Sequence, residues 1–217
     1  MPTYVPFEET PYNRLHVYDH YLGHCSEELV KYLPFRPGLT VLDYACGNGD
    51  MLGYLLPRTG QAWGMTPTRP AGKLASLSTR MAIAHIEYLP LADASLDAVI
   101  LHDLGDEIGM PARCAAMLRE VARTLRGGGY LLWLMERQSG TDAQAMLDLF
   151  GFDLQVGEPL NYLTVPAVSL LGRIPGLRAS MPGKAMMKLV TAIDGVLAKS
   201  KTFSRYSHHV IVVAQRR

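Results

Sequence analysis

Apolar and polar positions along this chain fall into short blocks of two kinds. Seven runs are short and apolar enough to predict strands: Leu39 to Ala45, "QAWGM", "MAIAHIEYL", "LDAVILH", "YLLWLME", "FDLQVGEPL" and "HHVIVVAQ". Between them the apolar residues recur at helical spacing. Asp50 to Leu56 and the segment after Pro70 predict helices. "CAAMLREVARTL" predicts an amphipathic helix stopped by Gly127, Gly128 and Gly129, and "DAQAMLDLF" a short helix closed by Gly151. Ahead of all this, Leu15, Tyr18, Leu22, Cys25, Leu29 and Tyr32 share one helical face, which predicts an N-terminal helix ending near Pro34. Strand and helix alternate, so the expected fold class is α/β: a doubly wound, mostly parallel, seven-stranded Rossmann-like sheet. Ligands of such sheets bind at the C-terminal ends of the strands. One domain is expected, with residues 1–35 as an N-terminal helical cap, 36–160 as the core, 161–205 as a helical lid insert and 206–217 as the last strand.

Composition changes this picture little. The 217 residues are 48% hydrophobic and 19% charged, with a net charge of +1. That near-neutrality removes any general electrostatic case for nucleic acid, which is not an expected partner. Cys25, Cys46 and Cys114 are odd in number and lack metal-ligand or CxxC spacing, so they read as reduced thiols of a cytoplasmic protein. "MPTYVPFEETPYNR" lacks the basic-then-apolar layout of a signal peptide. No window reaches the roughly 18 apolar residues that a membrane span needs.

The chemistry concentrates in "VLDYACGNGDMLGYL", where a strand passes through small, turn-prone residues into a helix. Such a unit aims backbone N–H groups at an anionic part of a ligand. A nucleoside triphosphate loop would carry a lysine after Gly49, and none is there. A dinucleotide loop would read GxGxxG, whereas Gly47, Gly49 and Gly53 give GxGxxxG. The third ligand class is S-adenosylmethionine (SAM). "VLDYACGNG" resembles the first motif of class I SAM-dependent methyltransferases, in which a strand-end acid precedes a G/A-x-G-x-G loop. "LPLADASLDAVIL" is similar to the run into that family's fourth strand. "LREVARTLRGGGYLLW" is similar to its next helix, turn and fifth strand, and "SRYSHHVIVVAQR" to its last strand. The four segments come in family order at about family spacing, and the type-11 small-molecule branch resembles them most.

The resemblance implies SAM as cofactor and S-adenosylhomocysteine as product. It places Ala45, Cys46, Gly47, Asn48 and Gly49 around the methionine end, with Asp43 meeting the ammonium. It places Met65 and Thr66 at the ribose, and His85, Ile86 and Leu101 around the adenine. Two positions depart from the family pattern. Thr66 stands where the family has an acid for the ribose hydroxyls, and His85 where it has an acid for the adenine amino group. A charge-assisted hydrogen bond is worth roughly 1.5–3 kcal/mol, so losing the ribose acid could weaken binding about 10- to 150-fold.

Methyl transfer is an in-line displacement, in which most of the catalysis is positioning. "LHDLGDE" follows the fourth strand, where the family's acceptor groups and bases lie, which makes His102 and Asp103 the catalytic candidates. Asp106 and Glu107 are better suited to capping the next helix. His16, His20 and His24 sit at i, i+4 and i+8 on one stripe, which cannot close a tetrahedral metal site alone. No metal is expected, and Tyr12, His16 and His20 are secondary candidates for substrate binding. Residues 161–205 carry Arg173, Arg178, Lys184, Lys188, Lys199, Lys201 and Arg205 against Asp194 alone, and "AMMKLVTAIDGVLAKSK" has helical spacing.

The expected function is therefore O- or C-methylation of a small, hydrophobic acceptor by SAM. The alternative is a methyltransferase-like protein without methylation: a structural or partner-binding subunit, or a cyclase-type enzyme using the same pocket. Expected partners are a small-molecule or lipid-like acceptor, a membrane surface touched peripherally by the basic segment, and a second copy of the chain in a homodimer.

Overall fold

A computed structural model of the chain describes residues 24–46, 49–67, 80–102, 111–137, 143–174, 176–177, 180–200 and 206–217. The elements in chain order are α1 (24–30), β1 (Thr40–Tyr44), α2 (Asp50–Thr59), β2 (Gln61–Thr66), β3 (Met81–Ile83) and β4 (Leu96–His102). They are followed by α3 (Pro111–Thr124), β5 (Leu125–Glu136), α4 (Ala143–Asp148), β6 (Phe152–Leu160), α5 (Thr164–Arg173), α6 (Met181–Leu197) and β7 (His209–Arg216). The strands form one seven-stranded sheet in the order β3-β2-β1-β4-β5-β7-β6.

The pairs β3–β2, β2–β1, β1–β4 and β4–β5 are all parallel. β7 runs against its neighbours. Its end meets the start of β5, where Gln215 Nε2 donates to Gly128 O and Arg216 to Leu125 O. Arg217 N–H donates to Gly151 O, just ahead of β6. The sheet is thus mixed, with a parallel majority. Burial explains the apolar runs: every residue of β4 from Leu96 to Leu101 is buried, as central parallel strands require. Leu52 and Leu55 of α2, and Met117, Leu118 and Val121 of α3, have no exposed surface, which fits apolar helix faces packed on a sheet.

The chain divides into two compact units. One comprises Leu29–Gly157 with Ile211–Arg217 and holds the parallel strands; the other comprises Met1–Glu28 with Glu158–Val210. In the second unit α5 and α6 pack together, and Asp194 of α6 is buried there. Its carboxylate accepts from Leu163 N (2.8 Å), Thr164 N (3.0 Å) and the Thr164 hydroxyl, so α6 caps the start of α5. Within the same unit, Asn161 (φ +61°) places its Nδ2 3.2 Å from both Cys25 Sγ and His209 Nδ1.

Two expectations about elements are corrected. The glycines Gly127–Gly129 do not form a turn between helix and strand: α3 ends at Thr124 and β5 starts at Leu125. The glycines sit where the β4–β5 register shifts between Leu96 and Ala98. A Cβ on Gly129 would lie 2.9 Å from Arg126 O and 3.1 Å from Asp97 O, so the close approach needs a glycine. Nor does the third strand run through "MAIAHIEYL". It ends at Ile83, so His85 and Glu87 both lie beyond the strand. Side chains take over its backbone groups from there: Tyr44 Oη accepts from Ile86 N, and Glu120 from Leu89 N, at 2.9 Å each. The expected helix after Pro70 lies outside the described residues, as does most of the N-terminal helix.

Candidate functional site

The C-terminal ends of β1, β2 and β4 lie side by side. Asp43 is in register with Gly64 and Ile100, and Tyr44 with Met65 and Leu101. The structure thus brings Asp43, Met65, Thr66, Leu101 and His102 to one edge of the sheet. Asp43, Met65, Thr66 and Leu101 are buried there, and His102 is half-buried. Beyond β1 the chain turns through Ala45, a non-glycine residue at φ +60°. Cys46 N–H then donates to Met65 O (3.1 Å), tying the turn to β2, and Gly49 N–H donates to Cys46 O (2.7 Å). Gly49 at φ +83° is the N-cap of α2 and has no side chain with which to cap it. Gly47 and Asn48 lie outside the described residues.

Packing under the turn is tight. A Cβ on Gly64 would lie 2.7 Å from both Cys46 Sγ and Leu52 Cδ1, so the glycine of β2 makes room for the cysteine. Burial, and then the neighbouring Asp43 charge, push the Cys46 thiol up to about 12. It stays protonated and serves as a packing residue, not a nucleophile.

The far side of the edge is held by residues that the sequence patterns do not single out. Tyr44 Oη donates to Ala84 O (3.4 Å) and accepts from Ile86 N (2.9 Å), pinning the chain after β3. A tyrosine closing a buried strand is itself a signal, because its hydroxyl needs a partner. Ile86 is fully buried and His85 exposed. Glu87 pairs with Arg113 of α3. Burial alone would raise the Glu87 carboxyl. The Arg113 hydrogen bond, with backbone N–H and nearby positive charge, outweighs it and holds the group below its ordinary value.

Arg123 organises the next loop. It donates to Leu91 O (2.8 Å), Leu89 O (3.0 Å), Asp93 Oδ1 (2.5 Å) and both oxygens of Glu120 (2.8 and 2.9 Å). The Arg123 hydrogen bond, against some burial, holds the Glu120 carboxyl low, and the Glu120 and Asp93 hydrogen bonds raise the guanidinium further. So "LPLAD" is anchored to α3 by one side chain.

Asp103, Asp106, Glu107, Tyr12, His16 and His20 lie outside the described residues. Of the histidine stripe only His24 is described, and it is half-buried. A cavity of about 480 Å³ opens at the other end of the strands, lined by Arg36, Asp97, Arg126 and Gly127–Gly129. Asp97 closes that end structurally, accepting from Thr40 N (2.8 Å) and Arg126 Nη1 (2.9 Å).

Residues 42–133 match a family model described as a methyltransferase domain. No curated protein sequence matches the chain. Among solved structures, a geranyl diphosphate methyltransferase in complex with GPP and sinefungin superposes with a TM-score of 0.62 at 14% identity, over 90% of this chain and 78% of that one. The cyclase SpnF gives 0.59 at 19% identity, over 88% and 79%. The Burkholderia thailandensis 1,6-didemethyltoxoflavin-N1-methyltransferase, bound to 1,6-didemethyltoxoflavin and S-adenosylhomocysteine, gives 0.58 at 14%, over 96% and 81%. At these identities the structural likeness is one of fold. The match over residues 42–133 is to a methyltransferase domain, and the seven-stranded sheet has the fold of the methyltransferases on which it superposes.

Proposed function

We propose that the chain binds SAM along the C-terminal edge of β1 and β2 and methylates an oxygen or carbon of a small, hydrophobic acceptor. The observation that carries this reading is the buried Asp43 carboxylate beside a helix start whose N-cap is a glycine. That donor set fits the cofactor: backbone N–H groups for its carboxylate, Asp43 for its ammonium and an apolar Ile86 for its adenine. SAM supplies the electrophilic methyl group; the protein supplies position. Ala45, Cys46, Gly47, Asn48 and Gly49 hold the methionine end. Met65 and Thr66 receive the ribose, with the Thr66 hydroxyl in place of a carboxylate. Ile86 and Leu101 enclose the adenine, and His85 meets its edge. His102 and Asp103 orient the acceptor and take its proton where it has one. The buried thiols of Cys25, Cys46 and Cys114 support a cytoplasmic setting.

A second reading rests on Thr66 and the exposed His85, the two positions where this edge lacks an acid. It is a methyltransferase-like fold that does not methylate, acting as a subunit or as a cyclase.

Calorimetric titration with SAM and S-adenosylhomocysteine tests the proposal. Trp63 is a second reporter: it lies on β2 three residues before Thr66, 40% exposed, with the Arg80 guanidinium 4.8 Å from its ring. Micromolar binding is expected, and Thr66→Asp should tighten it about tenfold or more. No heat and no fluorescence change at millimolar ligand, in either protein, would overturn the reading. SAM binding without turnover to S-adenosylhomocysteine across an acceptor panel would favour the non-methylating alternative.

A further inference from the structure

α6 is a helix with one buried face and one exposed apolar face. Gly183, Met187 and Asp194 form the buried face. At about 100° per residue, Met181, Leu189, Val196, Ile193 and Met186 cover an arc of about 140° on the other side. They are exposed by 78%, 63%, 69%, 40% and 45% respectively. Lys184 and Lys188 flank that arc beside Met181, and both are exposed. The segment's one acid, Asp194, is only 1% exposed and is used up in capping α5. What α6 shows to the outside is therefore apolar and cationic, without an exposed carboxylate.

We propose that this face of α6 docks on an anionic lipid bilayer. The apolar arc enters the interfacial layer while Lys184 and Lys188 extend along its flank to lipid phosphates. A second copy of the chain fits the face less well, because it would bring the same cations with no exposed acid to offset them. α6 lies on the surface and does not cross it: no helix among the described residues is long and apolar enough to span a membrane. The inference does not depend on methyl transfer, because its readout is binding.

Co-sedimentation of the full chain tests it. The vesicles are phosphatidylcholine alone and phosphatidylcholine mixed with phosphatidylglycerol, each at low and high salt. Binding is expected on the anionic vesicles only, weakening as salt rises. The variant Lys184→Gln/Lys188→Gln should partition about 30-fold more weakly, since each lysine contributes roughly 1 kcal/mol near an anionic surface. Leu189→Ser should also weaken it; both variants alter exposed positions and leave the packed face of α6 intact. No partition onto anionic vesicles overturns the proposal, as does partition that neither variant changes. A concentration-dependent dimer that Leu189→Ser dissolves, in a protein that ignores vesicles, assigns the face to self-association instead.

Discussion

Replacing Tyr44 with Phe removes one oxygen from the fold and isolates one claim about the site. Tyr44 and Ile86 are 2% and 0% exposed, so water cannot reach the Ile86 N–H when the hydroxyl is gone. The bond to Ile86 N is short at 2.9 Å, while the one to Ala84 O is long at 3.4 Å. The loss is therefore essentially one stranded buried donor, about 1–3 kcal/mol, with almost no change in packed volume. For a chain of this length 1 kcal/mol moves Tm by about 2–4 °C, so a loss of about 2 kcal/mol lowers it by about 4–8 °C. Calorimetry reads that shift, and amide exchange at Ile86 reads its cause: the Ile86 amide should exchange much faster, with distant strands unchanged. Under the proposed function SAM affinity falls as well, because His85 and Ile86 lose their anchor. A Tm within about 1 °C of the parent, with Ile86 still protected, would refute the argument that Tyr44 holds this segment.

Gly64→Ala should lose about 1–3 kcal/mol by overpacking against Cys46 and Leu52. Adding Cys46→Ala removes one of the two clashing atoms and should recover part of that loss in denaturant melts; simple additivity of the two losses would contradict the close approach. The carboxyls of Glu87 and Glu120 are both held below their ordinary value of 4.5. Their contribution to stability is thus complete above about pH 4.5 and lost as pH falls through the folded-state values. A Tm–pH series on Glu120→Gln should show a flatter acid limb than the parent, the two converging at the lowest pH; parallel curves would count against it.

Much of this architecture is written locally. A buried parallel strand needs an unbroken apolar run, and "LDAVILH" marks β4 at its observed ends, Leu96–His102. Likewise "FDLQVGEPL" marks β6 from Phe152 to Leu160. Small residues after β1 announce the turn, because Ala45 at φ +60° and Gly49 at φ +83° need little or no side chain there. What could not be read depends on partners far along the chain. β3 stops at Ile83 because Tyr44, 42 positions away, takes the Ile86 N–H in place of a neighbouring strand. The three glycines after α3 enter β5 because β4 comes close to Gly129. Asp194 counts as one acid among many cations in the sequence, and only the packing of α6 on α5 hides its charge. Periodicity reports which face of an element is apolar. Which distant group satisfies a given N–H, carbonyl or carboxylate is set when those faces meet, and at that level the candidate site was assembled.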